Sequence, residues 1–112
     1  MNQLLEIQLK VIQDKFEFSR HAVDQSIIRN ISVQEVREAL KYNAKIIEVY
    51  PKDKYGPSCL ILGFTNAQRA LHIHCSYPSR PVLKIVTLYE PDPVKWINFE
   101  ERRNLWAEQK KN

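Results

Sequence analysis

The stretch "CLILGFTNAQRALHIHCS", residues 59–76, decides the fold of this chain. Two runs rich in branched and aromatic residues flank the loop-like residues 65–69, and this pattern predicts two antiparallel strands joined by a short connection. Similar runs over 45–50 and 82–90 lie between loop-like segments and predict two more strands. We therefore expect a four-stranded antiparallel sheet.

The segment before the sheet carries helical patterns. Residues 2–13 have the broad apolar stripe of an amphipathic helix. Ser19 can cap a second helix that runs to about Arg29. Ser32 and Glu35 form the capping-box pattern that opens a third helix. The sequence therefore predicts three helices before the first strand.

After the last strand, "PDPVKW" (91–96) predicts a C-terminal helix, with Asp92 as its N-cap and Pro93 at its first position. Helices and strands that are segregated along the chain indicate an α+β domain with the helices on one sheet face. A chain of 112 residues supports one hydrophobic core, so we expect a single domain over 1–112 with a flexible tail over 104–112.

Composition sets aside several classes of protein. Lysine and arginine number 17 against 13 aspartates and glutamates, a +4 balance that weakly favours polyanionic partners. The two glycines, Gly56 and Gly63, build neither a phosphate-binding loop nor a nucleophile elbow, which excludes nucleotide hydrolases and α/β-hydrolases.

The start of the chain and its cysteines indicate a cytoplasmic protein. The first apolar run contains Glu6 and Lys10 and lacks the features of a signal peptide. No run approaches the ~18 apolar residues of a membrane span. Cys59 and Cys75 lie in separate apolar runs, as expected of reduced core cysteines.

The second helix presents a polar stripe. His21, Gln25 and Arg29 recur every four residues and share one face, while Val23 and Ile27 are expected to face a core. A histidine can move a proton at neutral pH and an arginine can neutralise a phosphate, so the stripe suits RNA cleavage. The alternative is an ordinary solvated helix face.

The third strand alternates histidines with apolar residues. His72 and His74 are predicted on one face, opposite Leu71, Ile73 and Cys75. Because no further ligands lie nearby in the sequence, we expect no metal and no cofactor. The alternative is a pair of half-buried, hydrogen-bonded histidines.

Cations and tyrosines flank the sheet, in a mixture that can hold single-stranded RNA by phosphate neutralisation and base stacking. Tyr89, at the end of the fourth strand, could bind a phosphate or stack on a base, although a buried tyrosine with a satisfied hydroxyl explains it equally. The same cations also make loops soluble. The predicted RNA-binding residues are Gln25, Lys52, Lys54, Arg69 and Lys84.

Spaced elements recur in order from about residue 16 to residue 96. They are "FSRHA", an arginine followed by "NIS", "EVREAL", "IIEVYP", "YGPSCLILGFT", "RALHIHC" and "IVTLYEPDPVKW". Together they resemble the bacterial "domain of unknown function 4258" family. The family's motif residues fall on Ser19, His21, Ala22, Arg29, Gly56 to Ser58, His72, Thr87, Tyr89, Glu90 and Pro91. Two positions depart from the family pattern, with Asn30 and Gln68 where glycine is usual.

The resemblance implies a function. The family is often found beside zinc-finger antitoxin-like partners, and its helix-helix-sheet order resembles the RelE, BrnT and MqsR toxin ribonucleases. This implies a toxin-like RNA endonuclease with RNA and a cognate antitoxin protein as partners.

Our leading hypothesis is metal-independent cleavage of single-stranded RNA. His21 or His72 would move the protons, Arg29 and Arg69 would stabilise the phosphorane, and Tyr89 would orient a phosphate or a base. The rival hypothesis is a non-catalytic module of the same fold that binds a partner protein, with the histidine and the arginine as buried hydrogen-bond struts.

Overall fold

A computed structural model of the chain describes residues 2–54, 56–76 and 81–104. Three helices and a short strand precede the main strands, and a small hairpin follows them. The predicted flexible tail falls almost wholly outside the described residues. In chain order the elements are α1 (Gln3–Ile12), β1 (Phe16–Phe18), α2 (Arg20–Ile28), α3 (Val33–Lys41), β2 (Ala44–Tyr50), β3 (Ser58–Phe64), β4 (Ala70–Ser76), β5 (Leu83–Tyr89), β6 (Trp96–Ile97) and β7 (Glu101–Arg102).

The sheet has five strands in the order β1-β5-β4-β3-β2, so the prediction of a four-stranded antiparallel sheet was wrong. β2 to β5 form the expected antiparallel meander. The additional strand, β1, pairs in parallel with β5 and aligns Phe16 with Leu83. Its three residues are too short to show an alternating pattern, and its partner lies far away in the sequence.

The helices begin where the sequence indicates. The Ser19 hydroxyl caps α2, and Ser32 and Glu35 form a complete capping box at α3. Apolar residues of the helices meet Leu71, Ile73 and Cys75 in the core, as the alternation in β4 predicts. None of the helices in the described ranges combines the length and the apolar character needed to cross a bilayer.

α2 packs differently from the prediction. Val23 is 42% exposed and Ile27 is 74% exposed, so the expectation that both face a core was wrong. Ala22 is the buried residue of this helix. The Ser19 hydroxyl donates to the Val86 carbonyl at 2.9 Å, which holds the start of α2 against the sheet. A small inward-facing residue allows this close approach and leaves the larger apolar side chains outside.

The segment after β5 forms a hairpin, so the predicted C-terminal helix was wrong. The Asp92 carboxylate accepts a hydrogen bond from the Val94 amide, but the chain makes a turn instead of a helix. Asn98 and Phe99 then have positive φ values of 52° and 65°, which reverse the chain between β6 and β7. Packing of this segment against the sheet overrides the local helix-start signal.

Gly63 marks the closest approach of a helix to the sheet. A Cβ atom at this position would lie 2.1 Å from the carbonyl oxygen of Ala39 in α3. The missing side chain therefore lets α3 lie directly on β3. Asn30 and Gln68, the two departures from the family's glycines, have φ values of 53° and 67°, the conformation that glycine adopts without strain.

Candidate functional site

A groove crosses the sheet face that lies opposite the helices. Ile73 and Cys75 belong to the core beneath the helices, so the alternating His72 and His74 face the other side. The β6–β7 hairpin covers part of that side. The remaining concavity, here called the sheet groove, has a volume of about 640 Å³ and is lined by Val49, Tyr50, Pro51, Lys52, Asp53, Leu60, His74, Thr87, Tyr89 and Arg102.

His72 is fully buried beneath the hairpin, with both ring nitrogens in hydrogen bonds. Nε2 lies 2.5 Å from the Phe99 carbonyl oxygen, which can only accept, so Nε2 carries the proton. Nδ1 is then the acceptor for the Tyr89 hydroxyl at 3.3 Å. The Trp96 ring packs edge-on at 4.4 Å. Burial lowers the pKa of His72, so this imidazole is neutral and leaves no lone pair for a substrate.

His74 lies in the groove with one nitrogen engaged. Nε2 is 2.8 Å from the Ser58 hydroxyl oxygen, which donates its own proton to the Asp53 carboxylate at 2.5 Å. Nδ1 has no hydrogen-bond partner among the described residues. Burial lowers the pKa of His74, and the nearby Asp53 opposes this shift. His74 can therefore accept a proton at neutral pH.

Arg102, which lines the groove, binds a carboxylate of β2. Arg102 donates to both carboxylate oxygens of Glu48, at 2.8 and 3.0 Å, and its hydrogen bond lowers the pKa of Glu48. The Tyr50 hydroxyl also donates to Glu48. Burial, together with that carboxylate, raises the pKa of Tyr50 to about 12. The Arg102 guanidinium also stacks over Trp96 at 4.6 Å, so it anchors the hairpin to β2.

Two predicted site residues, Arg29 and Tyr89, line a smaller cleft of about 390 Å³ that has Tyr89 and Arg102 in common with the sheet groove. The Arg29 guanidinium carbon lies 5.8 Å from the centre of the Tyr89 ring, and Tyr89 contacts His72. Gln25 accepts a hydrogen bond from Arg29 Nε at 2.6 Å. Burial raises the pKa of Tyr89, so its hydroxyl is a neutral donor. Lys52 lines the sheet groove. The polar stripe of α2 thus contacts the sheet through Arg29, whose guanidinium lies over the ring of Tyr89 in β5.

His21 and Lys84 lie in a different place. Both line a second cleft of about 550 Å³, which has Asp53 in common with the sheet groove. Lys84 Nζ pairs with the Glu17 carboxylate at 2.9 Å. The two clefts are neighbours, but no described contact joins His21 to Arg29 or Tyr89.

Arg69 is a structural tie between elements. Its guanidinium donates to the Arg29 and Asn30 carbonyl oxygens, which ends the turn after α2. It also donates to the Glu35 and Glu90 carboxylates at 3.0 and 2.8 Å, and the Glu90 hydrogen bond raises its pKa. A phosphate would have to compete with these partners. Lys54 lies in the exposed turn before β3.

The sequence reasoning missed the hydrogen-bond partners of the second histidine. His74 was recognised only as a neighbour of His72, although the same alternation places it in the groove. Ser58 belongs to the "GPS" element, but nothing in the sequence links it to Asp53 or His74. Arg102 lies beyond the family-like elements and carried no signal at all.

The expected absence of a metal remains a prediction. Among residues 2–54, 56–76 and 81–104, no group of three or more histidine, cysteine and carboxylate side chains could hold a metal ion. Cys59 and Cys75 face each other across β3 and β4, with 3.9 Å between their sulfur atoms, and both are free thiols.

The buried histidines predict a stability that depends on pH. The folded state lowers the pKa of His72 and His74, so below pH about 6.5 the unfolded chain binds more protons than the folded one. The contribution of these histidines to the free energy of unfolding is therefore fully present above that pH and is lost as the pH falls. We expect the melting temperature, followed by circular dichroism, to drop by at least a few degrees from pH 7.5 to 5.5.

The control for this experiment is His74→Gln, which should flatten the pH dependence and leave the part that is due to His72. A melting temperature that rises or stays constant over the same interval would contradict the assignment of neutral, buried histidines.

Comparison with known proteins places the chain in a family. A family model with the description "Domain of unknown function (DUF4258)" matches residues 18–90, more than half of the chain. The match begins at the last residue of β1, covers α2 to β5 and ends beside Tyr89. No curated protein and no solved structure matches the chain.

Proposed function

The chain belongs to the family described as Domain of unknown function (DUF4258), and we propose that it is a toxin-like, metal-independent endoribonuclease that cleaves single-stranded RNA in the sheet groove. We propose further that it acts in the cytoplasm and is held inactive by an antitoxin partner. The family's helix-helix-sheet order, which resembles that of the RelE, BrnT and MqsR toxins, supports the reaction class, and the groove supports the place.

One observation carries this proposal: an imidazole whose acceptor nitrogen has no partner among the described residues belongs to a groove lined by cations and aromatic rings. His74 supplies the nitrogen, while Arg102 and Tyr89 line the same groove. Histidine is the usual proton-transfer group at neutral pH. We therefore assign the base to His74, since the ring nitrogens of His72 already have partners.

The chemistry needs only the RNA's own nucleophile. His74 Nδ1 would take the proton of the 2′-hydroxyl, and the 2′-oxygen would form a bond to the adjacent phosphorus. The bond from phosphorus to the 5′-oxygen then breaks. The imidazolium returns its proton to that leaving oxygen, which gives a 2′,3′-cyclic phosphate and a 5′-hydroxyl end.

The cations and rings at the groove suit the negative, single-stranded substrate. Arg29 projects from the end of α2, and its two terminal nitrogens form no hydrogen bond with the described residues. It can therefore donate to a phosphate in the extra-negative transition state. Tyr89, with Arg29 above its ring, can stack on a base, while its hydroxyl proton is donated to His72 Nδ1.

Growth arrest and cleavage test the proposal. Expression of the wild-type chain in bacteria should arrest growth, and the purified protein should cut single-stranded RNA in the presence of a chelator. Arg29→Ala should relieve the arrest and weaken cleavage while circular dichroism shows an unchanged fold. Added salt should also weaken cleavage, because it screens the contacts between cations and phosphate. The matched control is Arg20→Ala, an exposed arginine on the same helix but outside the groove.

A wild-type chain that neither arrests growth nor cuts RNA, with or without ribosomes, would contradict the nuclease. Tight capture of a partner protein by that inactive chain would favour the binding module instead. Equal loss of activity in Arg20→Ala and Arg29→Ala would show that Arg29 contributes only through the net positive charge of the protein and not through a specific contact with phosphate.

An exposed apolar surface favours the binding module as a second candidate. Val23 and Val33 line a cleft beside β1, and Ile27 and Ile28 are 74% and 75% exposed. Exposed aliphatic side chains of this kind commonly mark protein contacts. This surface belongs to the helices, so the partner protein of a non-catalytic binding module would dock there and not in the sheet groove.

A further inference from the structure

A three-residue hydrogen-bond chain lies behind the groove. Asp53 comes from the turn after β2, Ser58 is the first residue of β3, and His74 is in β4. The register pairs Ser58 with Ser76 and Leu60 with His74, so Ser58 and His74 are diagonal neighbours on one sheet face. Pairing of the two strands thus sets the distance between hydroxyl and imidazole.

The protons of this chain can be assigned. A carboxylate only accepts hydrogen bonds, so the single hydroxyl proton of Ser58 goes to Asp53 Oδ2. The Ser58 oxygen then accepts, and the donor must be Nε2–H of His74. Asp53 Oδ2 also lies 3.5 Å from Nε2, which strengthens the preference for a proton there. The lone pair is left on Nδ1.

We propose that Asp53 and Ser58 are positioning residues that hold the His74 ring with Nε2 protonated and Nδ1 presented to the sheet groove as the base. This inference rests on the proposed function. It gives the "GPS" serine and the aspartate before it a role that neither the family description nor the sequence pattern assigns. Ser58 is 3% exposed, so its hydroxyl acts through His74 and does not meet the substrate.

The arrangement has a direct electrostatic consequence. Asp53 raises the pKa of His74 against the lowering effect of burial. Loss of that charge should therefore lower the pKa of His74 further, and the acid limb of the cleavage profile should move to lower pH with it. A purely structural role for Asp53 would change stability without moving the limb.

The experiment combines nitrogen NMR with cleavage kinetics on the full chain. In the wild type, nitrogen shifts of His74 should report a protonated Nε2 and an acceptor Nδ1. Asp53→Asn should lower the pKa of His74, and Ser58→Ala should leave a mixture of tautomers. Both variants should lower kcat for an RNA oligonucleotide by about 10- to 100-fold with little change in KM, because the base is misplaced.

Two further variants separate positioning from folding. Ser58→Thr keeps the hydroxyl and should recover most of kcat. Ser76→Ala is the matched control. Ser76 pairs with Ser58 across β3 and β4, but its buried hydroxyl accepts a hydrogen bond from the Lys84 amide and takes no part in the Asp53–Ser58–His74 chain. This variant should therefore leave the His74 tautomer and the pH profile unchanged.

The inference and the proposed function can fail separately. Unchanged nitrogen shifts and an unchanged His74 pKa in both Asp53→Asn and Ser58→Ala would overturn the positioning role, even if the wild type cuts RNA. A wild type that cuts no RNA but shows the expected tautomer and pKa changes would overturn the function and keep the hydrogen-bond chain.

Discussion

Replacement of His74 by alanine should lower RNA cleavage by about 10² to 10⁴-fold, which is the contribution of a general base. The reason is geometric: Nδ1 of His74 is an acceptor without a described partner, and the His74 side chain lines the sheet groove together with Tyr89. The variant should fold, since His74 keeps part of its surface in contact with solvent. The measurement is single-turnover cleavage of an RNA oligonucleotide, with circular dichroism as the check on folding.

The other histidines decide between rival bases. His21→Ala tests the residue that the helix stripe suggested, and His21 lies in the second cleft. Loss of cleavage in His21→Ala with retention in His74→Ala would return the base to His21. His72→Gln should act mainly through stability, because the imidazole ties Tyr89 to the Phe99 carbonyl.

Replacement of Gly63 by alanine should destabilise the fold by about 3 kcal/mol or more. The new methyl group would lie 2.1 Å from the Ala39 carbonyl oxygen, which is backbone and cannot rotate away. α3 would have to move off β3, and the core beneath it would open. In a chain of this size the melting temperature should fall by roughly 10 to 20 °C, measured by circular dichroism.

A second substitution shows which atom is responsible. Gly63→Ala combined with Ala39→Gly removes the Ala39 methyl group, which lies 3.0 Å from the new Cβ, but keeps the carbonyl oxygen. We expect little recovery from the double variant. Full recovery would contradict the backbone clash and assign the cost to side-chain packing.

The sequence predicted those parts of the fold that local chemistry determines. Ser19, Ser32 and Glu35 cap the helices as expected because their side chains bond amides within three residues. The four strands of the meander were recognised because each is a seven-residue segment rich in branched or aromatic residues and bounded by loop-like sequence. β1 was missed because its three residues gain their structure from β5, which is a distant partner.

The errors have a common physical cause, which is tertiary packing. Asp92 does bond an amide of the following turn, as a helix cap would, but burial of Trp96 against His72 draws the chain into a hairpin. We expected Val23 and Ile27 in the core because they point away from the polar stripe of His21, Gln25 and Arg29. The compact side chain of Ala22 takes the place against the sheet.

The site was predictable only in part for the same reason. Arg29, His72 and Tyr89 were each predicted as site residues, and in the structure Tyr89 contacts both of the others. The base that we now propose depends on Ser58, which lies 16 residues from His74 in the chain. A contact of that kind follows from strand register, which the sequence did not specify.

The parallel pairing of β1 with β5 also bears on the order in which the parts of the molecule are made. The Ser19 hydroxyl, which caps α2, cannot bond the Val86 carbonyl until 67 further residues have been synthesised. At a synthesis rate of about 5–20 residues per second, this interval lasts several seconds. During this time β2, β3 and β4 can pair, but Tyr89 and Arg102 have not yet been added. A nascent chain therefore cannot form the groove until residues 83–102 have left the ribosome, which would delay any activity until after the adjoining sheet has folded.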